Sequence, residues 1–237
     1  MVRQNKKILE ILDSVRSEKR FELTEIESKS ILNFVSVPII DTRLADDAEA
    51  AVRFASAFEY PVVLKIASPD ILHKFDAKGV ATNLTNEEEV EKSFKELLRN
   101  AKKYNAHARI WGVTVQKHIP RGIEVIVGAV RDPIFGPAVM FGMGGIWIEL
   151  MKDVSFRLAP TTKESALEMI SEIQGYPLLQ RFRGGEHVNL EVIAEIIVKI
   201  SKLISTYPEI SEIDVNPIFA RADDAIAVDA RIVLRHD

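Results

Sequence analysis

Residues 61–80, PVVLKIASPDILHKFDAKGV, decide the fold because they place a charged loop directly after a buried strand. The opening PVVLKI is apolar except for Lys65, as expected of a buried strand. The segment 68–80 has neither helical nor strand periodicity, and it carries His73 close to two lysines and a glycine. Alternation puts Lys65 on the face that it shares with Val63 and Ala67, and a lysine on a buried strand face needs a counter-ion. Lys65 is therefore a candidate phosphate ligand, and an edge-strand lysine reaching water is the alternative.

Length and composition favour an ordinary globular protein. The chain has 237 residues, of which 47% are apolar and 28% are charged, and its net charge is −4. This balance argues against a broad nucleic-acid surface, since phosphate backbones are bound by dense Lys and Arg. No apolar run approaches the roughly 20 residues of a membrane span, and residues 1–20 show helix periodicity and not a signal-peptide core. We expect a cytoplasmic protein that binds neither nucleic acid nor a membrane.

Two patterns divide the chain. Up to about residue 110, apolar helix stripes alternate with short strands, which predicts a compact α/β lobe. From residue 110, four strand candidates predict an antiparallel meander: IWGVTVQKHI, GIEVIVGAV, AVMFGM and IWIEL. Helices are predicted again at 162–173 and 189–205, before the closing strands EIDVNPIFA and AIAVDARIV. The change near residue 114 predicts a lobe boundary, with a cleft between the lobes where ligands usually lie.

Three oxygen-bearing side chains lie on the last two predicted strands. Asp214 and Asn216 are two residues apart, so they project from one strand face while Ile213 and Val215 face the core. Asp229 is the only charge in the neighbouring AIAVDA. If the strands pair as a hairpin, the three side chains converge and offer the hard oxygen ligands that Mg²⁺ prefers. A solvated strand face with a turn-forming Asn-Pro is the alternative, and Asp229 shifts the balance towards a metal site.

The glycine-rich stretch FGMGG, residues 141–145, and Glu124 each permit two interpretations. The glycines could let backbone N–H groups approach a phosphate, but a glycine turn between strands explains them equally well. The sequence has neither a P-loop nor a dinucleotide-binding glycine motif. Glu124, alone among apolar neighbours, is a candidate acceptor for ribose hydroxyls. A cross-strand ion pair with Lys117 or Arg121 is the plainer alternative.

The order of these motifs resembles that of the ATP-grasp fold. The motifs are PVVLKI, HKFDAKGV, VQKHIPRGIEVIVGAVRDPIFGPAVMFGMGG, EIDVNP and AVDA. Together, from about residue 20, they look like the β subunit of the ADP-forming acyl-CoA synthetases, relatives of succinyl-CoA synthetase. The resemblance implies an α/β (α+β) fold in which two lobes enclose a nucleotide cleft. It implies a helical segment at 1–23, a small lobe with a phosphate-covering loop at 24–114, and a core lobe with the nucleotide and Mg²⁺ site at 115–237.

The resemblance also assigns roles to individual residues. Three residues would contact the nucleotide phosphates or belong to the mobile loop that covers them: Lys65, Gly79 and Arg157. Glu149 would face the phosphates beside Arg157. Three residues would lie at the adenine-binding hinge or bind the ribose: Gln116, Lys117 and Glu124. The implied cofactors are ATP/ADP and Mg²⁺, and three residues would bind the metal: Asn216, Asp229 and Asp214.

In the family that the chain resembles, the reaction is acyl-CoA + ADP + Pi ⇌ carboxylic acid + ATP + CoA. The α subunit binds CoA and becomes phosphorylated on its own histidine, and the β subunit passes that group to ADP. The resemblance implies that His73 is a second, transient carrier, a role open to neutral imidazole near pH 7. It also implies a CoA-binding α subunit as partner in an α2β2 heterotetramer. Two alternatives stay open: a self-contained ATP-grasp ligase that joins a carboxylate to an amine, and a non-catalytic nucleotide-binding subunit.

Overall fold

The computed structural model describes residues 2–145, 152–180 and 187–236. The helices are α1 Val2–Ser17, α2 Glu25–Phe34, α3 Ala48–Phe58, α4 Glu87–Tyr104, α5 Lys163–Ser171, α6 Tyr176–Leu179 and α7 Leu190–Thr206. The strands are β1 Thr42–Ala45, β2 Val62–Ala67, β3 Val80–Leu84, β4 Gly112–Lys117, β5 Ile123–Asp132, β6 Gly136–Met143, β7 Val154–Leu158, β8 Ile210–Ala220, β9 Ala225–Ala227 and β10 Arg231–Leu234. Each helix within the described ranges is too short or too polar to span a bilayer.

The chain forms two compact units. The small unit consists of Thr24–Ile26 and Ile40–Pro120, and the core unit of Met1–Leu23, Glu27–Ile39 and Arg121–Asp237. This division differs from the boundaries expected at 24 and 115 in two places. Glu27–Ile39 falls in the core unit, and the small unit extends to Pro120 because β4 pairs with two of its strands. The assignment of functional lobes to 1–23, 24–114 and 115–237 stays a prediction.

The small unit is built on an antiparallel sheet of four strands in the order β1-β4-β2-β3. Alternate β2 residues, among them Leu64 and Ile66, pack into a core with α4 residues such as Val90 and Phe94. The helix stripe and the period-two strand pattern therefore agree with the sequence expectation. Because β2 lies between β4 and β3, Lys65 is on an inner strand.

The core unit contains a larger antiparallel sheet in the order β10-β8-β5-β6-β7, with β9 also paired to β8. One face of this sheet buries Val127, Phe141 and Ile213 in a core shared with α7 residues such as Ile193 and Ile197. Strand β8 lies between β5 and β10 in this sheet. Side chains that alternate with this core project from the opposite face of β8.

The predicted meander needs a correction at its first strand. IWGVTVQKHI supplies β4, which belongs to the small-unit sheet, whereas β5 and β6 form the expected hairpin. The sequence could not show which of the two sheets this strand joins, because an apolar strand fits either one. IWIEL lies outside the described residues, and β7 is the strand that pairs with β6. The helices expected at 162–173 and 189–205 are confirmed as α5 and α7, and AIAVDARIV divides into β9 and β10.

Candidate functional site

Lys65 forms a buried ion pair in the small unit. Its Nζ lies 2.7 Å from Oε1 of Glu25, and only 7% of the Lys65 side chain and 3% of the Glu25 side chain are exposed. The face that Lys65 shares with buried Val63 and Ala67 is the one predicted from alternation. The alternative of an edge-strand lysine reaching water is therefore wrong. An ammonium held in this way is desolvated, and it is oriented by a fixed carboxylate.

A second lysine shares the same carboxylate. The Nζ of Lys74, which follows His73 in the loop, lies 3.3 Å from Oε2 of Glu25, and 17% of the Lys74 side chain is exposed. Sequence reasoning missed Glu25, which begins α2 and lies 40 positions before Lys65. The sequence indicated only that a buried lysine needs a counter-ion, and it did not identify which carboxylate supplies one. The cluster of Glu25, Lys65 and Lys74 thus places two ammonium groups on one buried carboxylate.

His73 lies in a loop of consecutive turns between β2 and β3. Ile71 and Ala77 are buried and anchor this loop, whereas the His73 side chain is exposed. The carbonyl of His73 accepts a hydrogen bond from the N–H of Ala77 (3.3 Å), and the carbonyl of Lys74 accepts one from Gly79 (2.7 Å). The loop therefore presents an accessible imidazole from an anchored backbone.

Gly79 closes this loop against β2. Its carbonyl accepts a hydrogen bond from Ile66 N–H (2.8 Å). A Cβ atom at Gly79 would lie 2.6 Å from Cγ2 of Ile66 and 3.0 Å from the carbonyl oxygen of Lys74. Close packing within the small unit thus accounts for glycine at this position. The role of Gly79 in covering phosphates stays a prediction.

Gln116 and Lys117 lie at the end of β4, shortly before the chain leaves the small unit after Pro120. Gln116 is buried, and its Oε1 lies 3.5 Å from the hydroxyl of Thr42. Lys117 donates a hydrogen bond to Glu59 (3.1 Å), which gives it a partner other than Glu124. Their place in the chain fits the predicted hinge, and their contact with adenine stays a prediction.

Glu124 lies against the glycines of FGMGG in the core unit. Its carbonyl accepts a hydrogen bond from Gly144 N–H (2.7 Å). A Cβ atom at Gly144 would lie 3.1 Å from the Cβ of Glu124, and one at Gly145, where φ is +63°, would lie 3.1 Å from Oε2. The glycines therefore permit a close approach to this carboxylate. Glu124 and FGMGG, which were interpreted separately from the sequence, are therefore neighbours in the structure. The contact of Glu124 with ribose stays a prediction.

The structure brings Asp214 and Asp229 together in the core unit. Asp214 is on β8, and it alternates with buried Ile213 and Val215 as predicted. Burial raises the pKa of Asp214 above its ordinary value, and the negative charges of Glu212 and Asp229 add to this rise, while Arg231 opposes it. Asp229 lies between β9 and β10, where its Oδ1 accepts a hydrogen bond from the backbone N–H of Ala230 (2.8 Å).

These residues fit a Mg²⁺ ion. Asn216 is exposed on β8, two positions beyond Asp214 on the same strand face. Within the described parts of the chain, no three acidic or histidine side chains form a metal cluster by themselves. Two carboxylates and one amide oxygen suit Mg²⁺, which keeps several waters and also binds phosphate oxygens. The burial and the neighbouring negative charges that raise the pKa of Asp214 are the conditions that a bound divalent cation would offset.

Arg157 has partners within the core unit. Its guanidinium donates a hydrogen bond to Oε2 of Glu172 (2.8 Å) and one to the hydroxyl of Ser165 (3.3 Å). The hydrogen bond with Glu172 raises the pKa of Arg157 and lowers that of Glu172. These contacts give Arg157 a structural role, and its contact with phosphates stays a prediction. Glu149 lies outside the described residues.

Each of the two units is built on an antiparallel sheet and carries a cluster of polar side chains, as in a known class of nucleotide-binding protein. The family model described as the ATP-grasp domain matches residues 14–234, so the chain belongs to the ATP-grasp family. It is 52% identical over 228 residues to "Acetate--CoA ligase [ADP-forming] I subunit beta" of Pyrococcus furiosus, covering 96% of this chain and 98% of that one. Within the ATP-grasp family, the chain therefore belongs with the beta subunits of ADP-forming acetate–CoA ligases.

Solved structures agree with this placement. The dinucleotide-forming acetyl-coenzyme A synthetase 1 of Ca. Korarchaeum cryptofilum, in complex with coenzyme A, Ca-AMPCP and HgCl+, matches with a TM-score of 0.93 at 42% identity, covering 95% of this chain and 99% of that one. A second structure of that enzyme contains coenzyme A and Mg-AMPPCP and has its phosphohistidine segment pointing towards the nucleotide binding site. It matches with a TM-score of 0.86 at 40% identity, covering 96% of this chain and all of that one.

Proposed function

We propose that this chain is the β subunit of an ADP-forming acyl-CoA synthetase, and that it passes a phosphoryl group from a phosphohistidine of its partner to ADP through His73. The observation that carries the proposal is the exposed His73 on an anchored loop, in a chain whose relative has a phosphohistidine segment directed at a nucleotide. The overall reaction would be acyl-CoA + ADP + Pi ⇌ carboxylic acid + ATP + CoA.

The transfer through His73 would take two steps. In the first, the His73 imidazole attacks the phosphorus of the partner's phosphohistidine, so one phosphorus–nitrogen bond forms as another breaks. The proton lost by the His73 ring is balanced by the one that the departing imidazole takes up. In the second, a terminal oxygen of ADP attacks the same phosphorus and the bond to His73 breaks, and the departing ring takes up a proton from water, which leaves ATP and neutral imidazole.

The surrounding residues would position the phosphates and balance their charge. Lys65 already has a desolvated and oriented ammonium, and it would bind nucleotide phosphates. Asp214, Asn216 and Asp229 would hold Mg²⁺, which when bound supplies positive charge to the nucleotide phosphates. Glu124 would accept hydrogen bonds from the ribose hydroxyls.

A phosphoryl-trapping experiment tests the carrier. Both subunits receive acyl-CoA and labelled phosphate without ADP, and ADP is then added as a chase. We expect His73→Ala to leave labelling of the partner intact and to abolish transfer to ADP. His107→Ala is the matched control, because His107 is another exposed histidine of the small unit. Transfer at the wild-type rate in His73→Ala would show that the group passes directly from the partner to ADP.

Mixing experiments test the partner. We expect ATP formation from acyl-CoA, ADP and phosphate only when the chain is combined with a CoA-binding subunit, and sedimentation should show an α2β2 assembly in the cytoplasmic enzyme. An active single chain that consumes ATP with an amine would support the carboxylate–amine ligase instead. Nucleotide binding without turnover in the mixture would support a non-catalytic subunit.

A further inference from the structure

The carboxylate of Glu25 connects the strand that carries Lys65 to the loop that carries His73. It reaches Lys65 at 2.7 Å through Oε1 and Lys74 at 3.3 Å through Oε2. The contact with Lys65 is inside the folded scaffold, because both residues are almost fully buried. The contact with Lys74 is longer and more exposed, so it is the contact that breaks more easily.

Apart from the turn hydrogen bonds of its backbone, the tip of the loop has little apolar support. The side chains of Leu72 and Phe75 are 44% and 80% exposed, so they contribute little packing. Buried Ile71 and Ala77 hold the two ends of this arc, and Lys74 reaches from its tip to the buried carboxylate of Glu25. The ion pair with Glu25 therefore adds a side-chain contact to the hydrogen bonds that keep the tip in place.

We propose that Glu25 is a positioning residue that tethers the His73 loop through Lys74, and that a phosphoryl group on His73 draws Lys74 away from it. The second half rests on the proposed carrier role of His73. A phosphoryl group carries about −1.5 to −2 charges and three acceptor oxygens, against the single charge of a carboxylate. Lys74 directly follows His73, and its long side chain would turn from Glu25 to a phosphoryl group on the neighbouring ring. Phosphorylation of His73 would thus release the loop from Glu25 at the stage when His73 carries the phosphoryl group.

Hydrogen exchange on the full chain tests the tether without any phosphoryl transfer. The reporters are the amides of Ala77 and Gly79, which donate to the carbonyls of His73 and Lys74. Lys74→Met removes the tether but leaves the Glu25–Lys65 pair intact, so it should fold. We expect these two amides to exchange about tenfold faster in this variant. Unchanged exchange would overturn the proposal.

Two further variants show whether the effect passes through Glu25. Glu25→Gln should accelerate the same amides, and adding Lys74→Met to it should have no further effect, because the contact between Glu25 and Lys74 is already lost. Additive effects would overturn the coupling. Glu91→Gln is the matched control, since it removes an exposed pair with Lys95 (2.6 Å) in the same unit. Equal acceleration of the loop amides in Glu91→Gln would also count against the proposal.

Chemical phosphorylation tests the release. Phosphoramidate transfers its phosphoryl group to histidine rings: a phosphorus–nitrogen bond to imidazole forms as the bond to ammonia breaks. Treatment should accelerate the Ala77 and Gly79 amides in the wild type, and it should have no effect on them in His73→Ala or in Lys74→Met. An unchanged wild-type loop would overturn the release. If the tether is found but His73→Ala still transfers label to ADP, the carrier role fails and the positioning by Glu25 stands.

Discussion

Replacing Lys65 by methionine should destabilise the folded chain strongly, because it leaves the carboxylate of Glu25 buried without its nearest counter-ion. The two atoms of the pair are 2.7 Å apart, and both side chains are at most 7% exposed. Breaking a buried ion pair on one side typically costs about 3–5 kcal/mol. Lys74, at 3.3 Å from Oε2, still offsets part of the charge, so we expect about 3 kcal/mol, the lower end of that range.

A second substitution distinguishes the destabilisation caused by an unpaired buried charge from that caused by lost packing. In Lys65→Met with Glu25→Leu, neither charge of the pair is left buried, and replacing a buried pair with apolar side chains of similar volume is often neutral. The contact of Lys74 with Glu25 is also lost, and such a partly exposed pair is worth about 1 kcal/mol or less. The double variant should therefore be about 2 kcal/mol more stable than the single one.

Urea unfolding followed by circular dichroism measures these differences, and urea is preferred because guanidinium chloride screens charges. Lys95→Met is the control, since it breaks an exposed pair with Glu91 and should cost less than about 1 kcal/mol. Two results would refute the reasoning. One is a Lys65→Met variant no less stable than Lys95→Met, and the other is a double variant less stable than the single one.

Three further changes test other parts of the chain. Asp229→Asn should abolish the Mg²⁺ dependence of ADP binding in calorimetry while the thermal unfolding midpoint stays near that of the wild type; an unchanged dependence would remove the metal assignment. Gly79→Ala should destabilise the chain by about 1–3 kcal/mol in urea, because its Cβ would lie 2.6 Å from Cγ2 of Ile66, and an unaltered midpoint would contradict this contact. Hydrogen bonds from Thr85 lower the pKa of Glu89, so the stability that Glu89 contributes is present above its unfolded pKa and is lost as pH falls through the folded pKa. Thr85→Ala removes one donor and should raise the pKa of Glu89 in an NMR titration.

Periodicity predicted the local geometry of the site correctly. Alternation put Lys65 on the face of Val63 and Ala67, and it set Asp214 and Asn216 against buried Ile213 and Val215. These predictions succeed because side-chain direction along a strand depends only on position. The convergence of Asp229 with Asp214 was conditional on strand pairing, and the pairing of Arg231 with Asp214 supports that arrangement.

Partners across long separations could not be predicted. Glu27 lies in the first turn of α2, and its carboxylate accepts hydrogen bonds from Arg20 (2.8 and 3.1 Å), which lies outside that helix. The sequence also gave no means of choosing between carboxylates as the partner of Lys65. An ion pair depends on which surfaces meet after folding, and local spacing carries no information about that.

The Glu25–Lys65 pair also bears on how a buried lysine could bind phosphate and release it again. Burial of an ammonium is unfavourable, and the carboxylate of Glu25 offsets that cost during folding. A phosphate would then bind to an ammonium that is already desolvated and oriented. The free-energy cost of desolvating and orienting it would therefore not reduce the affinity for phosphate. The same carboxylate would repel the phosphate, and the charge of Lys74 would reduce that repulsion. In the proposed function, Glu25 would therefore lower the affinity for nucleotide while keeping Lys65 in position, a combination that favours turnover over tight binding.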